Sequence, residues 1–160
     1  MERYFEDMLP AEELEQLKFI PTIPEFVEWM EKKWHDLPAL SDTISTCTYA
    51  KMCNDIAHKR ALLNNLGLRK GDKVAILDNS TPDAVEMFLA VTSAGYVAIN
   101  LPSQLPEQAV IGSCMRFDVK VLAYGKIFGD IAELVPCKTL KIEELGDTTA
   151  PVTTVSPDDP

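Results

Sequence analysis

The 160-residue chain is acidic, because 25 aspartates and glutamates against 15 lysines and arginines give a formal net charge of -10, while 46% of its residues are hydrophobic. Such a composition is typical of one globular domain with a buried core. The negative charge repels phosphate backbones, which excludes nucleic acid as an expected partner. No apolar run approaches the roughly 18 residues of a membrane span. The acidic start, MERYFEDMLPAEELEQ, is unlike a secretory signal, so we expect a cytoplasmic protein with no membrane span.

The four cysteines, Cys47, Cys53, Cys114 and Cys137, form no C-x-x-C pair. Their spacings match neither a zinc site nor a compact disulfide framework. We therefore expect four reduced thiols, several of them packed like small hydrophobic residues. Metal binding is the alternative interpretation.

Two helices are predicted before the first strand. An amphipathic helix over residues 11–18 ends at Pro21, and residues 1–21 are interpreted as an N-terminal extension. The next helix follows Thr22, whose hydroxyl can cap it. Its large apolar residues recur at helical spacing and are Phe26, Trp29, Met30 and Trp34. Such a stripe can form a ligand platform, but the spacing favours a face packed on the core.

Two short strands are predicted at residues 38–40 and 46–48, on either side of a turn at Ser41 and Asp42. A helix over residues 49–66 follows, and Gly67 is expected to end it. The two histidines of the chain are His35 and His58. Neither lies in a ligand pattern, so we expect surface or capping roles for both.

From Lys73 onward the chain alternates strands and helices. The predicted strands cover residues 73–78, 96–100, 119–123 and 139–142, and the predicted helices cover 83–93, 105–117 and 128–135. This βαβ rhythm predicts a three-layer α/β domain over residues 22–145, with a mainly parallel sheet and helices on both faces. The helix over residues 83–93 is apolar nearly all round, so we expect other elements to cover it on more than one side, with Ser80 as its cap.

Polar residues follow three strands of the predicted sheet, at the edge where parallel sheets bind ligands. These segments are Asp78–Ser80, Asn100–Ser103 and Tyr124–Lys126, and they contain no catalytic set. The chain has no G-x-x-x-x-G-K-[ST], G-x-G-x-x-G, G-x-S-x-G or H-E-x-x-H motif. A phosphoacceptor role for Asp78 is disfavoured, because no acidic pair follows an early strand to hold magnesium. We therefore predict no catalytic, cofactor-binding or metal-binding residue in this chain.

Three pairs of segments occur in a characteristic order, namely Cys47–Met52 with Asn65–Ile76, Ser80–Asp83 with Met87–Val97, and Leu105–Glu107 with Val119–Leu122. In this order they resemble the N-terminal part of the adenylate-forming superfamily, which includes acyl-CoA synthetases, adenylation domains of nonribosomal peptide synthetases and luciferases. The resemblance covers about residues 22 to 123. The chain departs from the family pattern at Lys51 and Met52, which replace Glu and Leu, at Ser80, which replaces Asn, and at Asn100, where proline is common.

The chain ends on VSPDDP, which resembles the segment just before the signature loop of this family. Residues 146–160 are therefore expected to be a linker toward a loop that is rich in Ser, Thr and Gly, ends in Lys and holds the ATP phosphates. The resemblance implies an enzyme that binds ATP, Mg²⁺ and a carboxylic acid, forms an acyl-adenylate and pyrophosphate, and passes the acyl group to a thiol such as coenzyme A. No catalytic residue of the family maps onto this chain.

We therefore interpret the chain as the N-terminal fragment of an acyl-CoA synthetase-like enzyme that is inactive on its own. One alternative keeps the family and has the parent load a carrier protein instead of coenzyme A. Another alternative, from a different class, is a standalone α/β binding or interaction module that uses the polar strand ends near Asp78 and Asn100. A truncated sheet is also expected to expose an edge, through which copies of the chain self-associate.

Overall fold

The structure is a computed structural model that describes residues 11–17, 20–43 and 45–159. Its helices are α1 (Ala11–Leu17), α2 (Ile23–Trp34), α3 (Tyr49–Asn65), α4 (Pro82–Ser93), α5 (Glu107–Arg116) and α6 (Gly129–Ala132). Its strands are β1 (Pro38–Ser41), β2 (Thr46–Thr48), β3 (Lys73–Leu77), β4 (Val97–Leu101), β5 (Val119–Tyr124) and β6 (Lys138–Lys141). A 3-10 turn, Lys126–Phe128, precedes α6. Lys18, the last residue predicted for α1, lies outside the described residues.

The aromatic stripe of α2 packs on the core, as its spacing favoured. Trp34 is buried, and Trp29 packs against the same cluster. The two indole rings meet edge to face, with centroids 4.6 Å apart, and Trp34 also contacts the ring of Tyr49 at 5.0 Å. Edge-to-face aromatic pairs of this kind add about 1 kcal/mol beyond the area that they bury. The stripe therefore joins α2 to the start of α3.

Local signals set the ends of α3 as predicted. β1 and β2 form an antiparallel pair directly before it. The hydroxyl of Thr48 then accepts a hydrogen bond from the backbone N–H of Lys51, which satisfies one of the free donors of the first turn. At the other end Gly67 has φ +72°, a left-handed conformation that a residue with a Cβ adopts only at a cost.

The four remaining strands form one parallel sheet in the order β4-β3-β5-β6. Side chains of β3 alternate between two buried clusters, as a strand with both faces covered requires. Val74 and Ile76 lie in a cluster with residues of α2, α3 and α4. Ala75 and Leu77 lie in a second cluster with residues of α5 and α6. The predicted three-layer α/β architecture, with helices on both faces of a parallel sheet, is thereby confirmed.

Two details of the helices differ from the sequence expectation. The cap of α4 is Thr81, whose hydroxyl accepts from the N–H of Ala84, and not Ser80. As expected, α4 is covered on more than one side, by α2 and α3 and by β3 and β4, although Val85 is 41% exposed. The helix predicted over residues 128–135 is only the single turn α6, which has no side-chain cap at its start. Pro136 also biases Val135 away from the helical region.

Residues 146–159 contain no helix or strand and run across the surface of α3 and the end of α4. Their backbone bonds to that of the helices at two points, from Ala150 N to Ala57 O at 3.0 Å and from Thr153 N to Ser93 O at 2.8 Å. We call this stretch the C-terminal segment. Among the helices of the described residues, none combines the length and the apolar character needed to cross a membrane.

Candidate functional site

The carboxyl ends of β3 and β4 flank an open cleft of about 580 Å³. Because Leu77 and Leu101 are partners in the parallel register, the residues that follow them emerge at the same edge of the sheet. The polar side chains that line the cleft are Asp78, Asn79, Ser80, Thr81, Asn100, Ser103 and Gln104. Val85 and Phe88 of α4 form an apolar wall. Two of the three polar strand ends expected from the sequence therefore meet here.

The third strand end is used to hold the sheet edge together. The backbone N–H of Gly125 donates to Leu77 O at 3.0 Å, and the N–H of Lys126 donates to the carboxylate of Glu143 at 2.8 Å. Neither Gly125 nor Lys126 lines the cleft. The segment over residues 124–126 is therefore a structural joint between β5 and the chain that follows it.

Asp78 is held in one place at the base of the cleft. Its carboxylate accepts a hydrogen bond from the hydroxyl of Thr81. On the other side it packs on the Cα of Gly125, so closely that a Cβ at that position would overlap the carboxylate. Among the described residues that line the cleft there is no histidine, lysine or arginine. The cleft presents amides, hydroxyls and one carboxylate, and the bond between that carboxylate and Thr81 lies at the start of α4.

A buried ion cluster lies behind this edge and joins α3 to α4. Lys59 is fully buried, and its Nζ lies 2.6 Å from Asp83 Oδ1 and 2.7 Å from Glu86 Oε2. Burial raises the pKa of Glu86, and the hydrogen bond from Lys59 partly offsets that effect. No pattern in the sequence predicted this cluster. Buried lysine is rare, and the signal that could have pointed to it is a lysine on the face of α3 that also carries Ile56 and Leu63.

Arg60 is also buried and holds the C-terminal segment. Its Nε and Nη2 donate to Ala150 O at 3.0 and 2.8 Å, and its Nη1 donates to Ser93 Oγ at 2.9 Å. Burial lowers the pKa of this guanidinium. The group nevertheless stays charged, because the ordinary pKa of arginine is far above neutral pH. His58 contacts Thr148 O at 3.1 Å, which agrees with the surface role expected for it. These interactions fix residues 148–150 on α3.

The end of the C-terminal segment borders a second cavity of about 540 Å³. Lys70 and Asp159 form an ion pair of 2.6 Å at its rim. Thr153 and Val155 pack against the Cα of Gly95, which has φ +79°. The segment therefore also lies on the turn that connects α4 to β4.

The four cysteines are free thiols, and Cys53 and Cys114 are buried. Burial raises the pKa of each of these two thiols to about 11, so both are protonated and poorly nucleophilic at neutral pH. Within the ranges that the structure describes, no group of three or more His, Cys, Asp or Glu residues is placed to hold a metal ion.

The described residues do not fit a nucleotide triphosphate with its metal. Such a ligand needs backbone donors and cations that converge on it. The cations that line the described cavities are already engaged, since Lys70 pairs with Asp159, Arg60 bonds Ala150 and Lys51 pairs with Asp55. The cleft at the carboxyl edge offers a carboxylate instead of a cation. No step of nucleotide chemistry can be built on these side chains.

Comparison with known proteins gives the family. The model of the family "AMP-binding enzyme" matches residues 26–159. Long-chain fatty acid transport protein 6 of Mus musculus is 35% identical over 89 residues, which are 54% of this chain and 14% of that protein. The hybrid PKS-NRPS synthetase traA of Penicillium crustosum is 28% identical over 144 residues, which are 86% of this chain and 4% of that protein.

A solved structure, the N-terminal subdomain of NpsA from Klebsiella oxytoca in complex with 3-hydroxybenzoyl-AMSN, has the same fold with a TM-score of 0.74 and 22% identity. It matches 87% of this chain, which spans 36% of that one. The chain thus spans only a minor part of each of these proteins. Because the family model covers most of the sequence, the chain belongs to the AMP-binding enzyme family.

Proposed function

We propose that this chain is the N-terminal scaffold of an ATP-dependent enzyme that joins a carboxylic acid to a thiol. The enzyme would form an acyl-adenylate and pyrophosphate from the acid and ATP, and would then make a thioester with coenzyme A. The family match over residues 26–159 carries this proposal. Since the chain spans a minor part of its relatives, the activity is proposed for a longer protein that contains it.

The local roles of the family-like residues support a scaffold function. Thr48 and Thr81 cap helices. Gly95 forms a turn with a positive φ, a conformation that favours glycine because glycine has no Cβ. The anchored C-terminal segment supports a further part of the proposal. Through Arg60 and Lys70 it would hold the start of a phosphate-binding loop in a constant place.

We propose that the 160-residue chain is inactive on its own, because the cations that line its described cavities are engaged and no phosphate-binding motif occurs in it. The test is ATP–pyrophosphate exchange with a panel of carboxylic acids. We expect no exchange from the 160-residue chain, and exchange from a longer protein that includes it and the loop ending in Lys. Exchange by the short chain contradicts the scaffold role, and absence of exchange from the longer protein contradicts the enzymatic one.

The alternative to coenzyme A as the thiol acceptor is a carrier protein. The similarity to a hybrid PKS-NRPS synthetase over 86% of this chain favours an adenylation domain that loads a carrier protein. The longer protein, supplied with acid and ATP, would then acylate a phosphopantetheinylated carrier and leave coenzyme A unmodified. Mass spectrometry of both acceptors in one reaction decides between the two.

A second candidate function is a non-catalytic binding module. The observation that favours it is the cleft of about 580 Å³ at the carboxyl edge, where amides and hydroxyls converge beside an apolar wall. Its ligand would be a small neutral or cationic molecule, because Asp78 is the one charged group among the described residues that line the cleft. A fragment screen by NMR tests this function. Hits that shift Asn79 and Gln104, and are lost in Gln104→Ala, support it.

We also propose that copies of this chain self-associate through a free edge of the sheet. The parallel sheet has four strands, and its two outer strands each have one strand neighbour among the described residues. Unpaired backbone groups at such an edge are a template for pairing with another chain.

A further inference from the structure

The two outer strands of the sheet differ in how they are protected. β6 has the sequence KTLK, with exposed lysines at both ends. β4 has the sequence VAINL, with neither a charged residue nor a proline. Soluble proteins usually protect an edge strand with lysine, proline or a covering element, because a free edge pairs with other chains. The edge of β6 carries this protection, whereas the edge of β4 does not.

The backbone groups that β4 presents outward follow from its register. Val97 N donates to Asp72 O at 2.9 Å, so the N–H and C=O groups of Val97, and those of Ile99 two residues on, face β3. Groups of successive residues alternate in direction along a strand. The N–H and C=O groups of Ala98 and Asn100 therefore face away from the sheet, where no other strand of the described residues pairs with them.

We propose that β4 pairs in antiparallel fashion with β4 of a second copy, across a two-fold axis at Ile99. The two four-stranded sheets then form one sheet of eight strands. Ala98 lies opposite Asn100 of the other copy, and the two symmetric pairs exchange four backbone hydrogen bonds. Ile99 lies opposite its own equivalent, and Val97 lies opposite Leu101. This inference deepens the self-association proposed above and does not depend on the enzymatic activity of a longer protein.

The charges favour a second copy at β4 over any pairing that involves β6. A chain of net charge -10 repels its own copy, so a contact between copies needs an uncharged surface. In the proposed register, every residue of β4 lies opposite an uncharged residue of β4. Pairing β6 with its own copy would bring Lys138 and Lys141 of both copies onto one short edge, where like charges repel. Val97 and Ile99 are half-buried in the single chain, and the second copy would cover them further.

The first test removes an outward N–H without touching the β3 ladder. Asn100→Pro does this at an exposed residue, in an extended conformation that proline tolerates at an edge. It deletes two of the four hydrogen bonds between the copies, so we expect the dimer dissociation constant to rise about tenfold or more. The matched control is Thr139→Pro on β6. Ile142 N donates to Tyr124 O, so by the same alternation the N–H of Thr139 faces outward.

Sedimentation equilibrium from micromolar to millimolar concentration gives the masses. We expect the unmodified chain and Thr139→Pro to approach twice the 17.8 kDa of one copy, while Asn100→Pro stays near 17.8 kDa over most of that range. A chain that remains a monomer throughout overturns the proposal. A dimer that Asn100→Pro leaves unchanged overturns the β4 edge as its site, although the chain would still self-associate. Neither result bears on ATP–pyrophosphate exchange by a longer protein.

The second test determines the register of the pairing between the two β4 strands. In Ile99→Cys the new thiols face each other at a position where Cα atoms lie about 4.5 Å apart, within reach of a disulfide. In the control Val97→Cys the equivalent residues lie four positions out of register, about 13 Å apart. Oxidised glutathione accepts the two electrons of the dithiol, and mass spectrometry of peptides separates the 99–99 bond from bonds of the native cysteines. Equal cross-linking of both variants overturns the two-fold axis at Ile99.

Discussion

Arg60 Nε and Nη2 both donate to the carbonyl oxygen of Ala150, a residue 90 positions later in the chain. One buried guanidinium thus joins the middle of α3 to the C-terminal segment. No disulfide joins these two parts of the domain. Charge-assisted hydrogen bonds of this kind therefore hold the segment on the helix.

Replacing this guanidinium should release the C-terminal segment. Arg60→Met removes three hydrogen bonds of a buried cation, and we expect the free energy of unfolding to fall by about 2–4 kcal/mol. The amides of Ala150 and Thr153, which bond to the helices, should lose protection against hydrogen exchange, while amides of β3 keep their rank among the slowest. His58→Ala is the control. Its ring contacts Thr148 at an exposed position, so its loss should change the free energy of unfolding little. Equal effects of both variants would contradict the anchoring role of Arg60.

Lys59 should be the most sensitive charged residue of the domain. Lys59→Met leaves the buried carboxylate of Glu86 without its cation, and we expect a loss of about 3–5 kcal/mol in the free energy of unfolding by urea. The double variant Lys59→Met, Glu86→Leu should recover much of this loss, since both buried charges are then gone. In Lys120→Met, which breaks an exposed ion pair with Asp118, we expect no measurable change. A small effect of Lys59→Met would mean that water reaches this cluster.

Glu86 should make stability depend on pH. Burial raises the pKa of its carboxyl above the ordinary 4.5, so the folded chain binds this proton at a higher pH than the unfolded chain does. The resulting stabilisation is fully present below pH 4.5 and is lost as the pH rises through the raised pKa. We therefore expect the free energy of unfolding of the wild type, minus that of Glu86→Gln, to increase as the pH falls from 7 toward 4.5. Urea unfolding at matched ionic strength measures this difference. A difference that decreases on acidification would show a lowered pKa.

Gly125 should resist substitution for steric reasons. In Gly125→Ala the new Cβ overlaps the carboxylate of Asp78, which must turn away and lose its bond to Thr81. We expect a loss of about 1–3 kcal/mol, measured by thermal and urea unfolding. Gly112→Ala is the matched control, because this helical glycine has open space where its Cβ would lie. It should gain about 0.5–1 kcal/mol from helix propensity. The prediction is wrong if both alanines shift stability in the same direction.

Two neighbouring hydroxyls at the start of α4 should differ in their effect on stability, because only one of them caps the helix. Thr81→Ala removes the acceptor for Ala84 N–H and should lower the free energy of unfolding by about 1 kcal/mol. Ser80→Ala removes a hydroxyl at the rim of the cleft and should stay within about 0.5 kcal/mol of the wild type. Chemical denaturation of the two variants side by side measures the difference. A larger cost for Ser80→Ala would return the cap to that residue.

Part of the cleft was predictable from the sequence. Asp78 and Asn100 each follow a short apolar strand, and parallel strands place their carboxyl ends at one edge. The third strand end could not be assigned in the same way, because Gly125 and Lys126 are held by contacts with Leu77 and Glu143 that no local pattern shows. The one-residue error at the cap of α4 has a local cause, since Ser80 and Thr81 are both good capping residues.

By itself, the sequence determined the elements whose physics is local. The run KVAIL, between a turn and a helix cap, favours a buried strand. Thr48 caps the start of α3 and Gly67 follows its end with a positive φ, and neither needs a distant partner. The order of strands and helices then restricts the sheet to parallel pairing with right-handed crossovers.

Tertiary structure alone decided which charges are buried and which edge is free. Lys59 and Arg60 are charged residues, yet both are buried, because α4 and the C-terminal segment bring partners from 24 to 90 residues away. Their burial is a property of those distant contacts. Likewise, VAINL and KTLK are each compatible with several places in a sheet, and only the strand order sets both at its edges. Local propensity contains no information on such relations, because the burial of a residue depends on which residues pack against it.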